Sequence, residues 1–316
     1  MNTSLASKTE MLIQRARMLS KVRAFFSQRE ILEVDTPVLS HAAPVDTHIE
    51  VMSVNFQNGK KGYLHTSPEY AMKRLLAEGC GDIYQMSHVF RAEEAGRLHN
   101  PEFIMIEWYR IGVSFQFLID ETLELIRLFL GEIPVQTHTY VSVFKKYARI
   151  DPRTATSDEM KSLAEKHHLP LTSEAAAWDK ETFLHFLLAF LIEPQLTGLH
   201  VIRDFPPPQA ALAKLHETED GLVAERFEAY FNGIELANGF HELTDPIEQR
   251  QRFVDDNLER QKCGKEVLPI DEHFLSALEQ GLPDSCGVAV GFDRLLMLQL
   301  KKESLKEILP FSWDQI

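Results

Sequence analysis

Cysteine is scarce: the 316-residue chain has three, Cys80, Cys263 and Cys286. Their number is odd and none share a CxxC spacing, which argues against a disulfide framework or a zinc site and fits a reducing compartment. Long apolar runs are missing too. The most apolar stretch, FLHFLLAFLIEP, carries His185 and is too short to span a bilayer. Lys8, Glu10, Arg15 and Arg17 interrupt the region where a signal peptide needs an unbroken apolar core. These absences predict a cytoplasmic protein with no membrane partner. Positive charge is in deficit, with 33 Lys and Arg against 47 Asp and Glu, a net charge of −14. Nucleic-acid affinity comes largely from neutralising phosphates, so this balance counts against such a partner. The chain has no GxGxxG or P-loop to cradle a phosphate, no internal repeat and no long linker.

What is present is ordinary globular stock: 44% hydrophobic and 25% charged residues, enough to bury a full core. Apolar residues Leu12, Ala16, Leu19, Val22 and Phe26 recur at helical spacing and predict a helix from about residue 7 to 29. ILEVDTPVLS reads as a short strand stopped at Pro37, and IEVMSVNF and KGYLHT as strands around Asn58-Gly59. In SPEYAMKRLLAEGCG, Ser67 reads as a cap, Pro68 as the first helical position and Glu69 as a first-turn acid, with Gly79 and Gly81 ending the helix. DIYQMSHVF and PEFIMIEWY are β-rich arms around a charged loop, followed by a helix from about residue 114 to 130. Residues from about 140 to 195 read as helical, with capping signals at Thr156-Ser157 and Asp179. A strand HVIRDFP, a hairpin turning at Asn232-Gly233, two helices, the strand CGVAVGF and the helix DRLLMLQL complete the chain. Hairpin-joined strands with helices outside predict an α+β fold on an antiparallel sheet.

Four constellations carry chemistry. Arg91 and Glu93 face His99, Asn100 and Phe103 across the charged hairpin. An Arg can fork onto phosphate oxygens, a Glu can accept from an exocyclic amine, and a Phe can stack a base; a solvated tip with surface ion pairs would look the same. Glu235 and Glu242 in GIELANGFHE are the hard oxygen donors Mg2+ prefers, or else an exposed strand and loop. Gly287 and Gly291 in GVAVGFDRLL mark a bulge or the close approach of a ligand or backbone, and Asp293 as a cap would put Arg294 against the helix dipole unless it meets a phosphate. Glu107, between Ile106 and Trp108 in an apolar strand, suits an amine-bearing ligand beside Glu69 and Tyr109, or a structural ion pair.

In this order and spacing the segments resemble the three signature motifs of class II aminoacyl-tRNA synthetases. FFSQREILEVDTPVLS resembles the first, FRAEEAGRLHNPEFIMIEWY the second and GVAVGFDRLLML the third, over residues from about Met11 to Phe311. SPEYAMKRLL, HNPEF and GIELANGF are similar to the lysyl branch. The resemblance implies one catalytic domain over residues 1–316, an antiparallel sheet flanked by helices, with a helical insertion or flank at about 140–195. It also implies a homodimer through the first motif, with ATP and Mg2+ as cofactors. Two departures narrow it. The chain opens almost directly on the first-motif helix, so no anticodon-binding domain is expected. Ala289 stands where the lysyl branch has glycine. Both match barrel-less relatives that attach a β-lysyl group to a lysine of elongation factor P. A lesser departure is Ala92, where relatives usually have Asn.

The implied activity is an ATP-dependent ligase that activates (R)-β-lysine or lysine as an adenylate and transfers it to the ε-amine of a lysine on elongation factor P. In that frame Arg91 holds the α-phosphate, with Arg294 and Glu242 as its catalytic companions. Ala92, Glu93, His99, Asn100 and Leu236 line the ATP site. Phe103 and Arg294 sandwich adenine, and Gly291 leaves room for the nucleotide. Glu235 and Glu242 hold Mg2+. Ser67, Pro68, Glu69, Tyr109 and Glu242 bind the amino acid, Glu107 supports its ammonium, and Ala289 sets the isomer. A minimal lysyl-tRNA synthetase and a non-catalytic amino-acid sensor are the alternatives. The acidic charge counts against tRNA in the first, and retention of Arg91, Glu235, Glu242 and Arg294 against the second.

Overall fold

The N-terminal apolar periodicity becomes α1 (Thr3–Ser27), which buries Met18, Val22 and Phe26. A computed structural model describes residues 3–47, 49–92, 95–219 and 221–316. The chain divides into two units, Met1–Gly131 with His241–Ile316, and Glu132–Phe240.

The first unit continues through β1 (Leu32–Glu33), β2 (Leu39–Ser40), β3 (Met52–Asn55) and β4 (Lys61–Leu64) to α2 (Glu69–Ala77). The predicted hairpin is β5 (Ile83–Phe90) and β6 (Glu102–Ile111), followed by α3 (Phe115–Leu130) with Ser114 as its cap. The second unit holds β7 (Val135–Thr139), α4 (Tyr140–Val143), α5 (Ser157–Lys166), α6 (Lys180–Leu187), β8 (Leu199–Phe205), β9 (Leu215–Thr218), β10 (Gly221–Phe231) and all but the last residue of β11 (Ile234–His241). The chain then returns to the first unit with α7 (Pro246–Lys262), α8 (Glu272–Gly281), β12 (Ser285–Gly291) and α9 (Phe292–Gln299).

In the first unit β6 is central, paired antiparallel with β5 on one side and β12 on the other. A strand covered on both faces has no polar side, and Ile106, Glu107, Trp108 and Tyr109 are all buried. The edge strand β1 pairs parallel with β5, and β2, β4 and β3 form a separate small sheet. In the second unit β10 pairs antiparallel with β8, β9 and β11, while β7 lies parallel to β8. Asn232 and Gly233 both take positive φ, 49° and 75°, so the predicted turn is of the primed kind that matches strand twist. The antiparallel expectation holds for the hairpins, while β1–β5 and β7–β8 are parallel pairs.

Candidate active site

The site of the first unit begins with the parity of β6. Alternate residues share a face, so Phe103, Met105, Glu107 and Tyr109 stand together. Register places Gln85 and Ala289 beside Glu107, and Ile83 and Gly287 beside Tyr109. Glu107 is 2 % exposed. Its Oε2 accepts from Ser67 Oγ at 2.7 Å and its Oε1 from Tyr109 OH at 2.6 Å. Among the described residues no Lys, Arg or His pairs with it. Burial, and then the neighbouring Glu69 charge, push its pKa up to about 8, so the carboxyl is held in a form that an incoming ammonium would ionise.

Ser67 was expected to cap α2. Instead Pro68 occupies the cap position, and Ser67 Oγ accepts from Glu69 N at 3.0 Å while donating to Glu107. The serine thereby ties the start of α2 to the pocket floor. Four residues on, Lys73 Nζ donates to Glu69 Oε1 at 2.6 Å and contacts Glu242 Oε2. Glu242, 1 % exposed, has its pKa raised to about 7 by burial, against the pull of Lys73. Gly287 is why these groups can converge. A Cβ there would overlap the Tyr109 ring and lie 2.5 Å from Glu242 Oε1. The close approach at this glycine is that of two pocket side chains rather than of the expected ligand or backbone. Ser67, Glu69, Glu107, Tyr109 and Glu242 are thus brought together, with Ala289 half-buried on the same sheet face.

The charged hairpin is organised differently. Arg91 N donates to Pro101 O and Ala92 N to Glu50 O, each at 2.9 Å. The Arg91 guanidinium lies 5.3 Å from the Phe103 ring centroid. Arg294 Nη2 meets His99 Nε2 at 2.8 Å, and its Nε donates to Leu98 O at 3.3 Å. Asn100 donates to Glu102 O two residues on and accepts from Trp313 N near the C-terminus. Glu93 lies outside the described residues. Gly291 is the cap of α9, and a Cβ on it would touch only Arg294, at 3.8 Å, so space adjoins it. Asp293 does not cap α9 as expected. Its carboxylate accepts from Arg15 Nη1 at 2.5 Å and Ile104 N at 2.7 Å, fastening α1 and β6 to α9.

Glu235 and Leu236 belong to β11 of the second unit, where Leu236 is buried and Glu235 half-buried. Asn238 Oδ1, further along β11, is buried without a hydrogen-bond partner among the described residues. These are hard oxygen donors of the kind Mg2+ takes, and Glu242 supplies another in the first unit. Sequence reasoning missed Glu228 on β10, a buried carboxylate bonded to Arg226 and Tyr230 and set opposite Asn238. It also missed Lys73, whose (i, i+4) spacing from Glu69 resembles that of a surface pair.

A family model described as tRNA synthetases class II (D, K and N) matches residues 2–315. The chain is 46% identical over 311 residues to the Elongation factor P--(R)-beta-lysine ligase of Edwardsiella ictaluri, covering 96% of this chain and 95% of that protein. It is 43% identical to the protein of that name from Pasteurella multocida (98% and 97% covered) and 44% identical to that of Vibrio parahaemolyticus (98% of each). The chain therefore belongs to the class II tRNA synthetases and, within them, to the family of elongation factor P–(R)-β-lysine ligases. No described helix is long and apolar enough to cross a membrane.

Proposed function

We propose that the protein activates (R)-β-lysine with ATP and transfers the acyl group to a lysine ε-amine of elongation factor P in the cytoplasm. The observation that carries this reading is Glu107. It is a buried carboxyl held by two hydroxyls, with no cation of its own among the described residues, beside Glu69 and Glu242, and so shaped to receive an ammonium. The amino-acid carboxylate attacks the α-phosphorus in line and pyrophosphate leaves. The target lysine, as a neutral amine, then attacks the acyl carbon; the amide bond forms and AMP departs.

In this reading the chain supplies positioning and charge more than covalent chemistry. Arg91 holds the α-phosphate, and Glu93, His99 and Asn100 contact ATP. Phe103 and Arg294 flank adenine, beside the open space at Gly291. Glu235 and Glu242 are the carboxylates assigned to Mg2+, which when bound offsets phosphate charge. Ser67, Glu69, Tyr109 and Glu242 bind the amino acid. A homodimer through Ile31–Ser40 is supported by Leu32, Val38 and Leu39, which stay exposed there. Incubation with ATP and β-lysine or lysine, plus purified elongation factor P or tRNA, tests the whole reading. A β-lysyl mass increase on the factor is expected. Label on tRNA would make the protein a tRNA synthetase, absence of pyrophosphate release would make it a sensor, and sedimentation only as a monomer would sink the dimer.

A further inference from the structure

Among the described residues, Lys73 is a charged residue of the pocket to which the proposed reaction gives no task. Its side chain is 1 % exposed, on α2 one turn after Glu69. Its ammonium bridges Glu69 Oε1, at 2.6 Å, and Glu242 Oε2. The Tyr109 and Phe274 ring centroids lie 6.0 and 5.8 Å from it. Burying an ammonium is costly, and a pair serving only the helix could stay in water. Here the same nitrogen joins two carboxylates from different segments, α2 and the chain after β11. Glu242 has little freedom besides. Its Oε1 sits over Gly287, its backbone N–H donates to Ser285 O at 2.9 Å, and its Oε2 faces Lys73. The orientation of Glu69 relative to Glu242 is therefore set through one ammonium.

We infer that Lys73 is a positioning residue for amino-acid recognition, a built-in counter-ion that fixes the Glu69 and Glu242 carboxylates in the geometry that receives the substrate's ammonium. Charge-assisted hydrogen bonds of this kind are the strong, directional ones. With Lys73 in place the carboxylates are oriented before the ligand arrives. Without it they repel each other and turn apart. The inference rests on the proposed reading of the pocket as the amino-acid site, and it assigns Lys73 no contact with ATP.

Pyrophosphate exchange with the full-length protein tests it, using Lys73→Met and Lys73→Arg, with KM for β-lysine and for ATP measured separately. Lys73→Met is expected to raise the β-lysine KM about tenfold to a hundredfold, the range for losing hydrogen bonds to charged groups, with the ATP KM rising by a smaller factor because Glu242 is also assigned to Mg2+. Lys73→Arg keeps the charge and is expected to recover most of that loss. Should Lys73→Met not fold, Lys73→Arg carries the test, with a severalfold rise in β-lysine KM that exceeds any rise in the ATP KM. Unchanged β-lysine KM in the variants overturns the inference. So does a parallel rise in both KM values, or failure of Lys73→Arg to fold, because either makes Lys73 merely structural. A wild-type protein that exchanges pyrophosphate with no lysine isomer would instead refute the proposed function.

Discussion

At one end of the β6 face the charges are buried and bonded to one another; at the other they are half-exposed and bonded largely to backbone. Glu107 and Glu242 are 2 % and 1 % exposed, and they are linked through Ser67, Glu69 and Lys73. Around the hairpin, Arg294 donates to Leu98 O, Asn100 to Glu102 O and Arg97 to Glu303 O. The contrast follows what each end is proposed to hold. An amine pocket that selects by charge number and position gains from low dielectric and preset carboxylates. A triphosphate brings its own charges, so guanidinium groups on a hairpin suffice there, and backbone bonds keep the hairpin in register.

If that division is right, the hairpin end acts on the reaction and the pocket end on the choice of substrate. Arg91→Ala should show the largest effect. Losing one donor to charge that develops in the transition state typically costs a hundredfold to about a thousandfold in rate. Pyrophosphate exchange should fall by that factor with the fold intact. Near-normal exchange would mean that this hairpin is not the ATP end.

Ala289→Gly probes the pocket end and should be smaller. Ala289 stands directly opposite Glu107 in the β12–β6 register, so its methyl borders the proposed ammonium site. One methyl discriminates by only about 1–3 kcal/mol, roughly tenfold to two-hundredfold. The variant should activate α-lysine better by up to that factor, since its amino group lies next to the carboxylate, and leave ATP affinity alone. Exchange measured with both isomers decides it. An unchanged preference makes Ala289 a packing residue whose loss costs about 0.5–1 kcal/mol of stability. The neighbouring glycine cannot be probed the same way, because a methyl at Gly287 collides with Tyr109 and Glu242.

Much of this contrast is legible in the sequence, for a physical reason. Period two along FIMIEWY puts Phe103, Glu107 and Tyr109 on one face before any coordinates are known. The hairpin arms and the Asn232-Gly233 turn follow from local chemistry too. What stays hidden depends on partners far along the chain. Asp293 reads as a cap, yet its acceptors are claimed by Arg15 and Ile104. Lys73 draws no notice in the sequence, because its second partner, Glu242, lies far along the chain beyond β11. The parallel pairs β1–β5 and β7–β8 leave no hairpin signature, and VQTHT and LHET are too short and polar to announce strands. We propose that the helical stretch at about 140–195 is an insertion or flank of a single catalytic domain.

The smallest effect expected is a fraction of a proton, and it tests the buried end most directly. Burial first and Glu69 second raise the Glu107 pKa from 4.5 to about 8. The sign follows from linkage: the folded protein binds more protons here than the unfolded chain between those two values. This carboxyl's contribution to stability is therefore fully present below about pH 4.5 and lost as pH rises towards 8. An ammonium placed against Glu107 favours the ionised form and should expel the proton. Binding of β-lysine near pH 7 should thus release up to one proton, read by calorimetry as a binding enthalpy that changes with the buffer's ionisation enthalpy. Glu107→Gln has no proton to lose, and should bind more weakly with that part of the buffer dependence gone. Glu242, raised to about 7, adds its own release, so the difference between wild type and Glu107→Gln is the quantity to read. Identical proton release in the two would place the ammonium elsewhere, and the pocket end would lose the residue on which its reading rests.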